Sequence, residues 1–368
     1  MTRRTRIIGA IFAMLAAAVL ALALVLSHDS ACEAPGRLPA QASPMKAIVY
    51  GCYGSPEVLE LADIAKPTPA DDEVLVRVQA AAVNPLDWHY MRGQPYIMRL
   101  SSGLGRPEDM RFGVDFAGTV EAVGRNVRKF KPCDEVFGGR SGAFAQYVTV
   151  RENRALVLKP ANITFEQAAA VPVAAITALQ ALRDKGQVKP GQRVLVNGAS
   201  GGVGTFAVQI AKSMGAEVTG VCSTRNVDLV RSLGADHVID YKQEDFTQGT
   251  SRYDVIIDNV GNHPLRAYTR VLEPEGIVVM VGGPSDDPWI GPMARPIRAA
   301  AFSPFVSQTF AMLLAELNQE DMGVLRDLLE AGKLRPVIDR RYTLAEVPAA
   351  VAYLEEGRAR GKVVITVE

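Results

Sequence analysis

The spacing of apolar positions changes twice along the chain, and each regime predicts a different kind of structure. Arg3, Arg4 and Arg6 precede an uninterrupted apolar run from Ile7 to Leu26, which as a helix would span roughly 30 Å. A polar, Pro- and Ala-rich stretch follows. From Met45 to Pro160 short β-branched runs alternate with turn residues, which predicts strands at Ala47–Tyr50, Glu73–Ala82, Asp115–Val123, Asp134–Phe137 and Ala143–Val150. From Val171 onward strands alternate with helical periods, the signature of a parallel sheet. Its strands are expected at Val194–Val196, Val218–Cys222, Val238–Asp240, Asp254–Asp258 and Ile277–Val281. The region Trp289 to Leu317 is apolar at helical period, with Phe302, Phe305, Phe310, Met312 and Leu313, and predicts a core or subunit-contact helix. The sharper alternative there is a lid over an apolar substrate or a membrane-facing patch. A helix at Leu344–Glu355 and a strand at Lys362–Val367 close the pattern.

Composition narrows the function classes. With 368 residues the chain can bury the cores of two domains. Forty basic residues balance forty acidic ones, so no overall charge draws it to nucleic acid. Cys32, Cys52, Cys133 and Cys222 form no CxxC pair, which argues against a zinc cluster or disulfide framework and leaves reduced thiols as the expectation. The first 44 residues are expected to lie outside the fold, and three readings compete for them: a membrane anchor through 7–26, a cleaved export signal, or a true start at Met45. Of these the anchor is favoured, which would put the body on the far side of the membrane.

The most informative stretch is Val194 to Tyr241. A β-branched run feeds the glycine-rich turn NGASGGVG, which opens an apolar-periodic helix through Val208, Ile210 and Met214, and a second strand follows. Glycine there permits a tight turn, close approach of backbone to pyrophosphate, and close helix–strand packing, while the helix N-terminus offers free N–H groups. Ala199 takes the first glycine's place, yet the motif stands in its required strand–turn–helix–strand context. A dinucleotide site through Gly201, Gly202, Val203 and Gly204 is expected.

AAAVNPLDWHYMRG, GVDFAGTVEAVG, KPCDEVFG, AAAVPVAAITALQAL, NGASGGVG and RGKVVI occur in the order seen in medium-chain dehydrogenases/reductases. From Met45 to the C-terminus the chain resembles the zinc-free quinone oxidoreductase branch of that superfamily. The resemblance implies an α/β architecture: a GroES-like β-rich catalytic domain over 45–170, a Rossmann doubly wound parallel sheet over 171–304, and a return to the catalytic domain over 305–368. The N-terminal hydrophobic helix would precede these. The resemblance also puts Asn84, Val114 and Val173 where zinc alcohol dehydrogenases carry Cys, His and Cys, and none of the three replaces a zinc ligand well. No metal is therefore expected, and reduction of an already polarised acceptor, a quinone or a conjugated enal or enone, is favoured over alcohol oxidation. The alternatives are an alcohol or aldehyde dehydrogenase, and a membrane-tethered NADPH-binding module without significant turnover.

Cofactor choice depends on the end of the second strand. NAD sites usually place an acid there, whereas this chain has Ser223, Thr224 and Arg225, so NADPH is expected, and the resemblance puts Tyr241 beside the adenosine phosphate. The resemblance implies nicotinamide contacts from Thr177, Asn259, Val260, Gly282 and Gly283, and basic groups turned to the cofactor from Arg360 and Lys362. Asn84 is the first candidate to bond a developing oxyanion, His89 a candidate proton donor, and Tyr96 lies near a further active-site tyrosine of the quinone reductases. Asp87 is expected to brace its loop. The insertion Pro95 to Phe112 carries Arg99, Arg106 and Arg111, which shape the cleft mouth or are solvated. Cys133 replaces a turn glycine. A homodimer is the expected assembly if the apolar region Trp289 to Leu317 makes a subunit contact.

Overall fold

The computed structural model describes residues 3–34, 36, 43–285 and 287–368, and the side chains of 3–6 and 8–11 lie outside that description. Six strands lie parallel in the spatial order His237–Asp240, Glu217–Cys222, Arg193–Asn197, Tyr253–Asp258, Leu272–Met280 and Thr309–Met312. These strands are apolar at consecutive positions because both faces are covered. Val194 and Val196 pack into one core, while Leu195 between them packs into the core on the opposite face. The chain order reverses between Arg193–Asn197 and Tyr253–Asp258, and the carboxyl ends of those two strands open the crevice where such sheets bind ligands.

Seven strands form the second sheet, in the order Ile338–Thr343, Lys362–Thr366, Glu73–Val83, Asp115–Val123, Glu135–Gly139 and Leu156–Leu158, with Tyr147–Arg151 also paired to Glu73–Val83. The two strands from the end of the chain thus rejoin the half that precedes the parallel sheet. Register matters here: Val83 pairs with Val363, and Ala82 with Asp115. Asn84, Asp115 and Lys362 consequently stand together at one end of three neighbouring strands.

Three expectations change. Thr309–Met312 is a strand, the sixth of the parallel sheet, where helical period was read, and the helix of that region is only Ala294–Phe302. A short apolar run does not distinguish a buried strand from a buried helix by period alone. The parallel sheet therefore runs past residue 304 to Met312. Second, Cys32 and Cys52 are joined in a disulfide, not reduced thiols, because the fold brings their Cα atoms to 4.5 Å. Cys133 and Cys222 are the free pair. Third, the segment before residue 44 is not wholly outside the fold: Leu26 is buried, and the Ser30 and Glu33 amides donate to Gly105 and Gly51 carbonyls. Arg3–Ser27 is helical, and the anchor expected over 7–26 falls partly on side chains outside the description. Among the described residues no helix is long and apolar enough to cross a membrane. Cys133 has φ 74°, the left-handed turn that a glycine would favour.

Candidate active site

At the strand ends a buried polar cluster forms. Lys362 Nζ donates to Asn84 Oδ1 and lies 3.3 Å from Asp115 Oδ2. Asn84 Nδ2 donates to Asp115 Oδ2 at 2.9 Å and more weakly to the Ala82 carbonyl at 3.3 Å. The other Asp115 oxygen accepts from the Val173 amide at 3.0 Å. Lys362 is 3% exposed and Asp115 is fully buried, so this is an ion pair removed from water and held by further hydrogen bonds. Burial pushes the Asp115 carboxyl upward, against the pull of Lys362, Asn84 and the Val173 amide. Asp87 accepts from the Asn84 amide at 2.7 Å, bracing the loop as expected, and burial pushes its pKa up to about 7.

One sequence expectation is corrected at this cluster. Asn84 has both amide N–H groups committed, so its oxygen orients Lys362 and its nitrogen is not free for an oxyanion. Lys362, expected to face the cofactor, is buried with its stem beneath Gly202.

The glycine turn has the shape its sequence requires. Gly198 has φ 79°, and a Cβ on Gly204 would lie 2.1 Å from the Gly198 carbonyl oxygen, so helix Gly202–Ser213 packs against its own feeding strand. A Cβ on Gly202 would meet only Lys362 Cδ at 3.3 Å and the Gly361 oxygen at 3.6 Å. Gly201 bridges Gly361, whose amide donates to the Ser200 carbonyl, so the returning segment forms one wall of the groove. Val203 is part-buried at the start of that helix.

Beyond the second strand Ser223 is buried, and its Oγ accepts from Asn226 Nδ2 at 3.2 Å. Arg225 is exposed and donates to the Arg358 carbonyl at 2.7 Å. Thr224 Oγ1 donates to Asp240 Oδ2 at 2.6 Å, which reveals a carboxylate that sequence reading missed because it comes from the neighbouring strand. Lys242 N and Gln243 Nε2 also bond Asp240, and the Thr224 hydroxyl holds its carboxyl below the usual range. Tyr241 is exposed at the rim, and so is Arg360, whose amide bonds Asp339.

At the other end of the crevice, Asn259 donates from Nδ2 to the Asn197 carbonyl at 2.9 Å. A Cβ on Gly282 would lie 2.3 Å from the Asn259 carbonyl oxygen, so two backbones touch there; Gly283 follows against Pro292. Val260 is exposed, and Thr177 is buried with its hydroxyl on the Val173 carbonyl at 2.6 Å. Beneath this turn lies a second network absent from the sequence reading. Asp258, fully buried, accepts from Tyr268 Oη at 2.8 Å, Asn197 Nδ2 at 2.9 Å, the Gly261 amide at 3.0 Å and Arg295. It ties helix Ala294–Phe302 to the crevice floor. Among the described residues, Asn226 Oδ1 and Asn259 Oδ1 are the buried side-chain oxygens without a partner. One lies at each end of the groove, so an extended ligand with donors at both ends, such as a dinucleotide, would fit.

His89 Nδ1 lies 2.8 Å from the Gln94 carbonyl oxygen and its ring stacks on Trp88 at 3.7 Å. Burial lowers its pKa, with the Gln94 bond opposing. A carbonyl only accepts, so the neutral ring carries its proton at Nδ1 and leaves Nε2 as a lone pair, contrary to a proton-donor role. Tyr96 sits at the mouth, its amide on the Pro288 carbonyl at 2.7 Å and its ring edge-on to Trp289 at 5.1 Å.

A doubly wound sheet with a glycine turn at its switch point, facing a second β-rich domain across a groove, defines a two-domain nicotinamide-nucleotide oxidoreductase. Residues 70–161 match the family description "Alcohol dehydrogenase GroES-like domain" and residues 233–365 match "Zinc-binding dehydrogenase". The chain is 35% identical to the 2-methylene-furan-3-one reductase of Solanum lycopersicum, over 88% of this chain and 79% of that protein. It is 33% identical to a chloroplastic quinone-oxidoreductase homolog of Spinacia oleracea, over 87% of this chain and 98% of that one. The quinone oxidoreductase structure from Coxiella burnetii superposes with a TM-score of 0.77 at 31% identity, covering 89% of this chain and all of that one. The chain belongs to the medium-chain dehydrogenase/reductase superfamily, among its quinone oxidoreductase-like members, and is an oxidoreductase of the NAD(P)H-binding kind.

Proposed function

We propose that the chain is a zinc-independent reductase of quinones or activated alkenes, using NADPH. The observation that carries this is the donor set at the cleft: Asn84, Val114 and Val173 offer a metal nothing comparable to thiolate or imidazole, and the Lys362 ammonium already bonds Asn84 there. When bound, the dihydronicotinamide supplies the hydride. Lys362 has three N–H groups, of which two go to Asn84 and Asp115. We assign the third, in place of Asn84, to charge developing on the acceptor oxygen, where a fixed cation in a dry site is most effective. Thr177, Asn259, Gly282 and Gly283 shape the nicotinamide end. Tyr96, its ring edge-on to Trp289 at the mouth, lines the acceptor's entrance.

NADPH is favoured over NADH by Arg225, the exposed cation of the turn, and by the engagement of Asp240 with three donors behind it. Attachment to a membrane through 7–26 and pairing into a homodimer belong to the same reading. The exposed apolar side chains Phe12, Leu15, Val19 and Leu20 support the former. Flotation with phospholipid vesicles tests it, and a chain that stays unbound overturns it.

The deciding experiment for the reaction follows NADPH oxidation by chelator-treated protein with quinones, 2-alkenals and simple alcohols. Turnover of the first two without metal is expected. Activity that needs added zinc and favours alcohols overturns the reading, and tight NADPH binding with no turnover favours a binding module.

A further inference from the structure

Arg99 is 2% exposed, and an arginine so deeply buried must have its donors met. Its Nε donates to the Gly93 carbonyl at 2.9 Å, Nη1 to the Leu26 and His28 carbonyls at 3.0 and 3.1 Å, and Nη2 pairs with Asp29 at 2.9 Å. Its guanidinium carbon lies 4.5 Å from the Tyr53 ring centre and 4.6 Å from that of Tyr96. Three of those partners, Leu26, His28 and Asp29, come from the first 44 residues, expected to lie outside the fold: Leu26 from the end of the apolar run, His28 and Asp29 from the polar stretch after it.

That segment is pinned along its length. Ser30 N donates to the Gly105 oxygen at 2.8 Å, Glu33 pairs with Arg106 at 2.9 Å, and Cys32 is bonded to Cys52 beside Tyr53. A Cβ on Gly51 would fall 1.8 Å from the Glu33 carbonyl oxygen, so only glycine admits the strap there. On the other side of Arg99, the loop it supports reaches across to the parallel-sheet half. Tyr96 and Ile97 amides donate to the Pro288 and Trp289 carbonyls at 2.7 and 3.3 Å.

We propose that residues 26–32 are a disulfide-pinned strap which, through Arg99, sets the position of Tyr96 and so the acceptor's entrance to the cleft; Arg99 is a positioning residue for acceptor binding. The proposal rests on the reductase reading for the identity of what enters, but its geometry does not. The strap fixes one side of Arg99 and the Pro288–Trp289 backbone fixes the loop's far end. Losing either the guanidinium fork or the covalent pin frees the loop before the acceptor arrives, and the acceptor must then order it. Lysine in place of Arg99 would keep one charge contact but not the planar fork or the stacking between two tyrosines.

The test uses the full chain and the variants Arg99→Met, Arg99→Lys and Cys32→Ser, together with wild type treated with dithiothreitol. In that treatment two electrons and two protons pass from the dithiol to the cystine, giving two thiols and the cyclic disulfide of the reagent. Amide hydrogen exchange over 94–98 and 287–291 is read first, because it needs no turnover. Exchange there at least tenfold faster in Arg99→Met, and accelerated by Cys32→Ser and by reduction, is expected, with Arg99→Lys intermediate. With a small 1,4-naphthoquinone as acceptor, Arg99→Met should raise KM about tenfold while kcat stays within threefold and NADPH affinity is unchanged. Unchanged exchange in both Cys32→Ser and reduced wild type overturns the strap even if Arg99→Met fails to fold. Absence of turnover with both quinones and 2-alkenals in wild type sinks the reductase reading while the exchange result still decides the strap.

Discussion

Lys362 Nζ lies 3.3 Å from Asp115 Oδ2, and the two residues are buried together although 247 positions separate them in the chain. Asn84 completes the triangle, bonding both. The pair couples the last strand of the protein to the sheet formed by its first half, so folding stability depends on a contact between the two ends of the chain.

Removing one partner of a buried pair leaves the other charge without compensation. Lys362→Met should therefore cost about 3–5 kcal/mol. In the double variant with Asp115→Asn the losses should fall short of additivity by about 1–3 kcal/mol. Urea unfolding of both singles and the double checks this; strict additivity would show that the pair does not interact.

Asp87 gives stability a pH dependence of definite sign. Its folded pKa of about 7 stands above the ordinary 3.8, so across that window the folded chain holds a proton that the unfolded chain has released. Stability is favoured below the lower value and lost as pH rises through the upper one. Asp87→Asn keeps an acceptor for the Asn84 amide without titrating. Between about pH 5 and pH 8 it should lose about 2 kcal/mol less than wild type. Thermal unfolding across that range would contradict the account if the two curves ran parallel.

The glycine turn contains two residues with opposite expected behaviour. A Cβ on Gly204 meets a carbonyl oxygen at 2.1 Å, so Gly204→Ala should destabilise the whole domain. At Gly202 the same Cβ meets Lys362 Cδ at 3.3 Å and no backbone atom nearer than the Gly361 oxygen at 3.6 Å, so Gly202→Ala should fold and instead weaken NADPH binding. Comparing melting temperature with cofactor affinity for the two variants separates the roles.

Arg225→Asp should weaken NADPH by at least about tenfold, or about 1.4 kcal/mol, with NADH little changed. Fluorescence titration with each cofactor measures it, and equal losses would remove Arg225 from the 2′-phosphate site.

Cys133 has φ 74° on a turn where an L side chain is strained. Cys133→Gly should raise stability by about 1 kcal/mol, seen as a higher urea midpoint with an unchanged slope.

Local physics made much of this protein legible in its sequence. The glycine turn, the alternation of strand and helix, and the positive φ at Cys133 are all imposed by sterics within a few residues, so their signals are local. Thr309–Met312, read at helical period, is a short, partly exposed strand at the sheet's edge, where three apolar residues satisfy helix and strand patterns alike, and the strands Leu156–Leu158 and Ile338–Thr343 escaped the reading. Asp87's bracing role was legible for the same reason, since it lies three positions from Asn84.

Only tertiary structure decided what these parts face. Lys362 reads as a basic group facing the cofactor, and only strand register sets it beside Asn84 and Asp115. Asp240 reaches Thr224 from an adjacent strand, and Arg295 reaches Asp258 from a separate helix. Cys32 and Cys52 look unrelated until the chain turns back on itself. Sequence by itself determined the superfamily and the strand–turn–helix that carries the glycine motif. Which side chains are spent on holding others, and which remain to meet a substrate, depends on contacts between distant positions that neither period nor motif encodes.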